Sequence, residues 1–316
     1  MVQDQKCSAR FCFGENPTNV EYDQVTVKSD LTADLEMKIF FHGYYGFNSN
    51  STLIYGKEDA ILISATFLLS DAHRLAAGIL DTGKNLTHIL IPEFHPDHHF
   101  GAEVLQTAFP ASKVVATKSV AKDIVYSADD KIELWGSLFG KDVPSRLYFP
   151  MPLANDYLEI EGHRLEITDG WQADMANETL VWIPSMRAAI PTDMVVYKVF
   201  AWTIESDVER RKLWKADLER LRNMDPALVI PGHALRDTFS TDPTATIDYT
   251  LGYLNDFDEI LATAKTGDEL VERIEKKYPH TGLRFGLHWQ ARFLFPDSCS
   301  DHITPVPGIF HDPEQR

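Results

Sequence analysis

A dense group of ionisable side chains follows an apolar strand in the first third of the chain. Residues 87–91 read as a buried β-strand that Pro92 ends, and the run from Glu93 to Gly101 reads E-F-H-P-D-H-H-F-G. This run contains a glutamate, an aspartate and three histidines. Imidazole and carboxylate groups are the usual ligands of zinc and other first-row metals. The run therefore predicts a metal site at the end of a strand.

The overall charge restricts the partners of the protein. The chain has 316 residues, of which 44% are hydrophobic, and this is enough for one large domain or two ordinary ones. Its formal net charge is −17, and it contains no run of lysine and arginine long enough to form a binding site for a polyanion. Nucleic acids and anionic membranes bind clustered basic charge. We therefore expect a small-molecule substrate, with neither nucleic acid nor membrane as a partner.

The cysteines and the N-terminus indicate the compartment. Cys7, Cys12 and Cys299 are an odd, sparse set that predicts free thiols rather than a disulfide framework. The N-terminus lacks the apolar core of a signal peptide, and no apolar run is long enough to span a bilayer. We expect a cytoplasmic protein. The sequence does not decide between a monomer and a homodimer.

The patterning divides the chain into three parts. Residues 1–35 are polar and weakly patterned, and we interpret them as an N-terminal extension. Residues 36–240 alternate strand and helix patterns and form the main domain. Residues 241–316 read as a helical region packed on that domain. Residues 129–152 are rich in Trp, Phe, Gly and Pro, and we interpret them as irregular.

Three further segments place metal-competent side chains directly after predicted strands. They are residues 170–174 (G-W-Q-A-D), 191–193 (P-T-D) and 231–233 (P-G-H). Each segment is weak evidence alone. In this order after the first run, they form a specific pattern of four polar strand ends.

This pattern resembles the metallo-β-lactamase fold superfamily. The first motif of that family reads H-x-H-x-D-H and is followed by a glycine, where this chain has E-x-H-x-D-H and Gly101. Thr192-Asp193 is similar to the G-D element of the family, and Gly232-His233 is similar to its late G-H element. The resemblance covers roughly residues 38 to 240. It implies an α/β fold, a four-layer αββα sandwich with extra C-terminal helices.

The resemblance also implies two neighbouring metal sites that share Asp193. The second site consists of Asp97, His98 and His233, and its ligand set is intact. The first site consists of Glu93, His95 and a third residue. Without gaps, Gln172 stands where the family has the histidine of its G-H-T element, and we take Gln172 as the third residue. A shifted alignment places Asp174 or Asp169 there instead.

The altered first site bears on the choice of metal. Zinc is the expected cofactor, as one ion or two. Glu93 and Gln172 would offer oxygen atoms in place of imidazole, and oxygen ligands suit harder ions. Iron or manganese is therefore the alternative at the first site. His99 is interpreted as a supporting hydrogen-bond partner and His42 as a structural polar group.

The implied activity is metal-dependent hydrolysis. The resemblance predicts that a metal-bound hydroxide attacks a lactone, lactam, ester or thioester, with Asp97 and Asp193 as catalytic residues that orient the nucleophile or pass a proton. Trp171, Phe200 and Trp202 lie beside the motifs and predict a substrate pocket for an aromatic or apolar group. The alternative is a family member with a degenerate site. There, one metal would serve isomerisation, elimination or redox chemistry, or the protein would only bind a ligand.

Overall fold

The computed structural model describes residues 23–296 and 298, and within them two β-sheets face each other. The first sheet has seven strands that lie side by side in chain order. They are β1 (Gln24–Ser29), β2 (Thr32–Phe41), β3 (Asn50–Tyr55), β4 (Asp59–Ile63), β5 (Asn85–Leu90), β6 (Lys113–Ala116) and β7 (Met151–Pro152). Strands β1 to β4 are antiparallel, and β4 to β7 are parallel.

The second sheet contains the strands that carry the later motifs. In chain order the strands of this half are β8 (Tyr157–Ile160), β9 (His163–Trp171), β10 (Glu178–Ile183), β11 (Ala188–Ile190), β12 (Val196–Tyr197), β13 (Leu228–Val229) and β14 (His233–Ala234). The sheet order is β13-β11-β10-β9-β8. Strands β12 and β14 pair with each other in parallel beside this sheet.

Helices cover both outer faces. They are α1 (Leu69–Leu80), α2 (Pro96–His99), α3 (Ala102–Ala108), α4 (Lys118–Phe139), α5 (Val208–Asn223), α6 (Pro243–Leu261), α7 (Gly267–Lys277) and α8 (Arg284–Leu294). The helices α1, α3 and the first half of α4 pack on the first sheet, and α5 to α8 pack on the second. Among the described residues, none of these helices combines the length and apolarity needed to cross a bilayer.

The strands alternate their side chains between two cores, as the period of a β-strand requires. In β4, Ile61 and Ile63 pack between the two sheets. Ala60 and Leu62 of the same strand pack against the helices, where Ile79 of α1 joins them. Burial of each large aliphatic side chain contributes about 1.5–3 kcal/mol. The layers are therefore helix, sheet, sheet and helix, and the expected αββα sandwich is confirmed.

The first sheet begins earlier than the sequence patterning predicts. Strand β1 lies within residues 1–35, which were interpreted as an extension, and Val25 pairs with Ile39 of β2. The division of the chain at residues 36 and 241 stays a prediction. Residues 1–22 and all three cysteines lie outside the described residues.

The segment 129–152, predicted to be irregular, continues α4 as far as Phe139. Ala128, Lys131 and Trp135 recur at helical spacing and are all buried, so this part of the helix has a consistent inner face. The Trp, Phe, Gly and Pro content of the segment concealed that periodicity in the sequence. The second half of α4 packs on the core of the second sheet, and it thereby spans both halves of the molecule.

Candidate metal centre

The first motif forms the turn and short helix that follow β5. His95 precedes α2, and Asp97 and His98 lie within it. The turn is tied to the end of β4, because the N–H of Ala65 donates to the carbonyl of His98 at 2.8 Å. A Cβ atom at Gly101 would lie 2.1 Å from the carbonyl oxygen of Ala65. Only glycine permits this approach, which holds the motif against the sheet.

The later motifs meet at a second close approach. Asp193 lies in the 3-10 turn Thr192–Met194, where Thr192 has a φ of 46°. This left-handed conformation is one that glycine adopts freely, which accounts for the glycine of the family at this position. A Cβ atom at Gly232 would lie 2.5 Å from the carbonyl oxygen of Thr192. The contact places His233 beside Asp193.

The donor atoms of the predicted second site converge. Oδ1 of Asp193 lies 2.9 Å from Nε2 of His98 and 3.1 Å from Nε2 of His233. Oδ2 of Asp97 lies 3.3 Å from Nε2 of His233 and 3.7 Å from Nε2 of His98. All four side chains are buried. The structure thus brings together every residue predicted for this site.

Hydrogen bonds orient the two imidazoles of the second site. Nδ1 of His233 donates to the main-chain carbonyl of Phe47 at 2.9 Å, and Nδ1 of His98 lies 2.8 Å from Oγ of Ser64. A carbonyl oxygen can only accept, so the proton of a neutral His233 ring is on Nδ1. Nε2 then directs its lone pair at the carboxylates, as a metal-binding histidine does.

Opposite charges set the protonation of the metal-free cluster. Although burial lowers the pKa of His98 and of His233, Asp193 and Asp97 raise these values to about 10 and about 9 respectively. Burial raises the pKa of Asp193, but His98 and His233 hold it well below its usual range. In the absence of metal, the histidines of the cluster therefore carry protons, and a bound metal ion would displace these protons.

The first site surrounds Nδ1 of His95. That atom lies 2.9 Å from Oε2 of Glu93, 3.5 Å from Oδ2 of Asp174 and 4.0 Å from Oδ2 of Asp193. Asp193 therefore faces the second site with Oδ1 and the first site with Oδ2. This is the shared position that the sequence analysis expected for it.

At the third ligand position of the first site, the structure places a residue other than Gln172, which was the first choice from the sequence. The side chain that segment 170–174 brings to this site is Asp174. The side-chain amide of Gln172 donates instead to the carbonyl of Ala173 at 3.0 Å. Asp169 is exposed and accepts a hydrogen bond from Ser119. The geometry favours Asp174, one of the two alternatives to Gln172.

The donor set fits a divalent metal. Oε1 of Glu93 is buried and has no hydrogen-bond partner among the described residues. Glu93, His98 and Asp193 form one of the groups whose ligand atoms lie close enough together to share an ion. Ligands of a tetrahedral zinc at 2.0–2.1 Å lie about 3.3 Å apart. The second-site separations of 2.9 to 3.7 Å bracket that distance.

Solved structures share this architecture. A metallo-β-lactamase from Pontibacter korlensis matches 74% of this chain and 99% of its own, with a TM-score of 0.53 and 18% identity. The metallo-β-lactamase DIM-1, exposed to ceftazidime, matches 75% of this chain and 99% of its own, with a TM-score of 0.54 and 14% identity. IND-7 matches 75% of this chain and 100% of its own, with a TM-score of 0.52 and 15% identity. No protein-family model and no curated protein matches the sequence.

This chain has the metallo-β-lactamase fold. The histidine and carboxylate cluster lies at the ends of strands from both sheets of that fold. Carboxylates from Glu93 and Asp174 flank His95, so the first site of this metallo-β-lactamase fold offers more oxygen than nitrogen.

Two further carboxylates border the cluster and were missed from the sequence. Oε2 of Glu205 accepts from Nε2 of His95 at 2.9 Å and from Nε1 of Trp202 at 2.8 Å. Oε2 of Glu178 accepts from Oγ1 of Thr192 at 2.9 Å, and burial raises the pKa of Glu178 well above its usual range. Neither glutamate belongs to a motif of the metallo-β-lactamase fold, and no local pattern marks them.

A cavity of about 60 Å³ opens beside the cluster, and His95, Asp97, Asp174, Asp193 and His233 reach its wall. The remaining wall is mostly aromatic. Phe200 and Trp202, which were predicted to contact substrate, line it together with Phe47, Trp135, Trp214 and Phe285. Lys131 of α4 lines it as well.

Trp171, the third residue predicted to contact substrate, is directed elsewhere. Its indole N–H donates to Oγ1 of Thr168 at 2.9 Å. The guanidinium of Arg220 stacks on its ring, 3.7 Å from the centroid. Trp171 therefore supports the second sheet and α5, while the cavity of this metallo-β-lactamase fold takes its tryptophans from other elements.

Proposed function

We propose that this protein is a metal-dependent hydrolase that acts on a compact lactone, lactam, ester or thioester. The observation that carries this proposal is the buried group of histidines and carboxylates at the wall of a mostly apolar cavity. Apolar cavities with a few convergent polar groups are the usual form of a small-molecule site. The fold of solved metallo-β-lactamases supports the same reaction class.

The residues that would hold metal divide into two sets. Asp97, His98 and His233 would hold one ion, and Glu93, His95 and Asp174 would hold another, with Asp193 between them. When bound, a divalent metal lowers the pKa of water and polarises a carbonyl group. Zinc fits the second set best, because two of its three donors are imidazoles.

The chain itself would orient the reactants and exclude water. Asp97 and Asp193 line the cavity, and each has an oxygen close to the second-site imidazoles. Either carboxylate can accept a hydrogen bond from an attacking water molecule and so orient it. The aromatic walls at Phe47 and Trp202 displace solvent, which strengthens electrostatic interactions inside.

The cavity volume limits the group that enters it. An apolar cavity of about 150 Å³ holds a benzene molecule, and this cavity has about 60 Å³. We propose that a short acyl group occupies it and that a larger leaving group extends into solvent. This refines the expected aromatic or apolar substrate towards one with a compact acyl group.

The proposal is tested with purified protein and a panel of aryl esters, lactones, β-lactams and acyl thioesters of increasing acyl length. We expect chelator-sensitive turnover of at least one class, highest for short acyl groups, with activity restored by added zinc. His98→Ala should abolish it, and His73→Ala, at an exposed position on α1, should not. Turnover that survives complete metal removal would contradict the proposal.

The second candidate is a non-hydrolytic or ligand-binding member with a single metal. The carboxylates of Glu93 and Asp174 around His95 favour it, because the first site departs from an imidazole-rich set. Elemental analysis of protein purified without chelator separates the two. Two zinc ions per chain support hydrolysis, whereas one metal, or iron, together with no turnover across the panel supports this candidate.

A further inference from the structure

A buried lysine reaches the cavity from α4. The side chain of Lys131 is 6% exposed and lines the same cavity as the candidate metal centre. Its neighbours on the buried face of the helix, Leu134 and Trp135, are apolar. Burial of an ammonium group costs free energy unless hydrogen-bond acceptors or opposite charges surround it. The position of Lys131 therefore requires a partner.

The partners that the protein supplies to Lys131 are incomplete. Oε1 of Glu205 lies 3.8 Å from its Nζ, which is beyond hydrogen-bond distance. The ring centroid of Phe94 lies 4.7 Å from Nζ, and a ring face attracts a cation without satisfying its N–H donors as an oxygen does. An ammonium group has three donors. Among residues 23–296 and 298, neither of these two contacts accepts a hydrogen bond from Nζ, so the N–H donors of Lys131 can bind a ligand.

Glu205 is not free to complete the pair. Its Oε2 accepts hydrogen bonds from His95 at 2.9 Å and from Trp202 at 2.8 Å. Its Oε1 lies within ion-pair distance of Nζ of Lys131 but does not accept a hydrogen bond from it. The ammonium group is therefore held at the cavity wall with donors available to a ligand.

We propose that Lys131 binds a free carboxylate of the substrate. That the anion is part of a substrate rests on the proposed function. The binding of an anion at Lys131 can be measured without any turnover. The substrate class becomes a compact carboxyl derivative that carries a second, ionised carboxylate, such as the half-ester of a short dicarboxylic acid. The ester would face the candidate metal centre, and the free carboxylate would face α4.

Binding is measured without turnover, through the fluorescence of the cavity tryptophans Trp135, Trp202 and Trp214. The probes are propionate and its uncharged analogue propionamide, titrated into the protein as purified with its metal. We expect wild-type protein to prefer propionate. Lys131→Met should weaken propionate binding by about ten- to a hundredfold, the range for a hydrogen bond to a charged group. Propionamide binding should change little.

Two variants serve as controls. Lys122→Met removes an exposed lysine from the same helix and should leave propionate binding unchanged. Lys131→Arg keeps the charge and should keep the preference for propionate. Propionate that binds Lys131→Met as tightly as wild-type protein would be bound by the metal centre, and the proposal would be overturned. Equal binding of propionate and propionamide by wild-type protein would also overturn it, and this comparison needs no variant to fold.

Turnover of monomethyl succinate and dimethyl succinate then links the site to catalysis. We expect a higher kcat/KM for the half-ester, with the difference lost in Lys131→Met mainly through KM. If neither ester is hydrolysed while propionate binding still depends on Lys131, the hydrolase proposal fails and the anion site is supported. If both esters are hydrolysed equally by wild-type protein, the hydrolase stands and the assignment of the substrate carboxylate to Lys131 fails.

Discussion

Nδ1 of His233 donates a hydrogen bond of 2.9 Å to the main-chain carbonyl of Phe47. Phe47 lines the cavity and stacks on Phe67, with ring centroids 4.7 Å apart. The last ligand candidate is therefore anchored to the aromatic wall that would contact substrate. A change in the packing of that wall alters the orientation of an imidazole at the candidate metal centre.

Removal of either second-site imidazole should release metal without unfolding the protein. We expect His98→Ala and His233→Ala each to lose about one metal ion per chain, because a single imidazole then remains beside the two carboxylates and the site binds the ion too weakly to retain it. Elemental analysis after desalting measures the content, and circular dichroism checks the fold. His73→Ala is the matched control on an exposed helix surface. Wild-type metal content in both variants would refute the assignment.

Two alanine variants distinguish between Asp174 and Gln172, the two candidates for the third ligand of the first site. Asp174 lies 3.5 Å from Nδ1 of His95, whereas the amide of Gln172 donates to Ala173. We expect Asp174→Ala to weaken metal binding at the first site at least tenfold and Gln172→Ala to leave it within about twofold. Competitive titration with a chromophoric chelator measures both. The reverse ranking would restore Gln172 as the ligand.

A histidine in place of Glu93 should favour zinc. Glu93 and Asp174 give the first site two carboxylates beside His95, and imidazole binds zinc better than it binds harder ions. We expect the double variant Glu93→His with Asp174→His to bind a second zinc equivalent more tightly than wild-type protein, and Glu93→His alone to gain less. Gln172→His is the control. A zinc titration without any gain in the double variant would argue against Glu93 at this site.

The metal-free protein should lose stability in alkaline solution. The folded-state pKa values of His98 and His233 are about 10 and about 9, raised from 6.5 by the nearby carboxylates in spite of burial. Their stabilising contribution is complete below pH 6.5 and is lost as the pH rises through 9 and 10. Between these limits the free energy of unfolding falls as the pH rises, because each histidine keeps in the folded state a proton that it has released in the unfolded chain.

Urea unfolding at pH 6, 8 and 9.5 measures this loss, with the metal-loaded protein as the reference. His233→Asn should remove one of the two contributions and flatten the profile. Metal-loaded protein should show little of the effect, because its ligand histidines carry no displaceable proton at these atoms. An identical pH profile for metal-free and metal-loaded protein would contradict the prediction.

The second site could be predicted from the sequence because its determinants are local. Asp97 and His98 are consecutive in a short helix that follows a strand, and His233 directly follows a glycine that only a close approach explains. Local patterns of this kind can be recognised without knowledge of the rest of the fold. The patterning also predicted the strand that Pro92 ends, whereas the order of the layers followed from the resemblance to the metallo-β-lactamase fold.

The third ligand of the first site could not be chosen from the sequence, because its position depends on the shape of one loop. Gly170 has a φ of 77°, and the pairing of β9 with β10 shifts register between Glu178 and Leu180. A register shift changes which side chain faces the cluster, and nothing in the spacing of Gln172 and Asp174 reveals it. Glu205 and Lys131 were missed for a related reason, because only the packing of α4 and a distant loop brings them to His95.

The candidate ligands come from positions 93–98, 174, 193 and 233, and they meet only where the ends of the two sheets adjoin. Such contacts between distant segments form late in folding, because the entropy of closing long loops must first be overcome. A complete metal site therefore exists only in the folded chain, where both sheets contribute donors. A metal ion that binds this site would favour the folded state, and the apparent stability of the protein would then rise with the concentration of the metal.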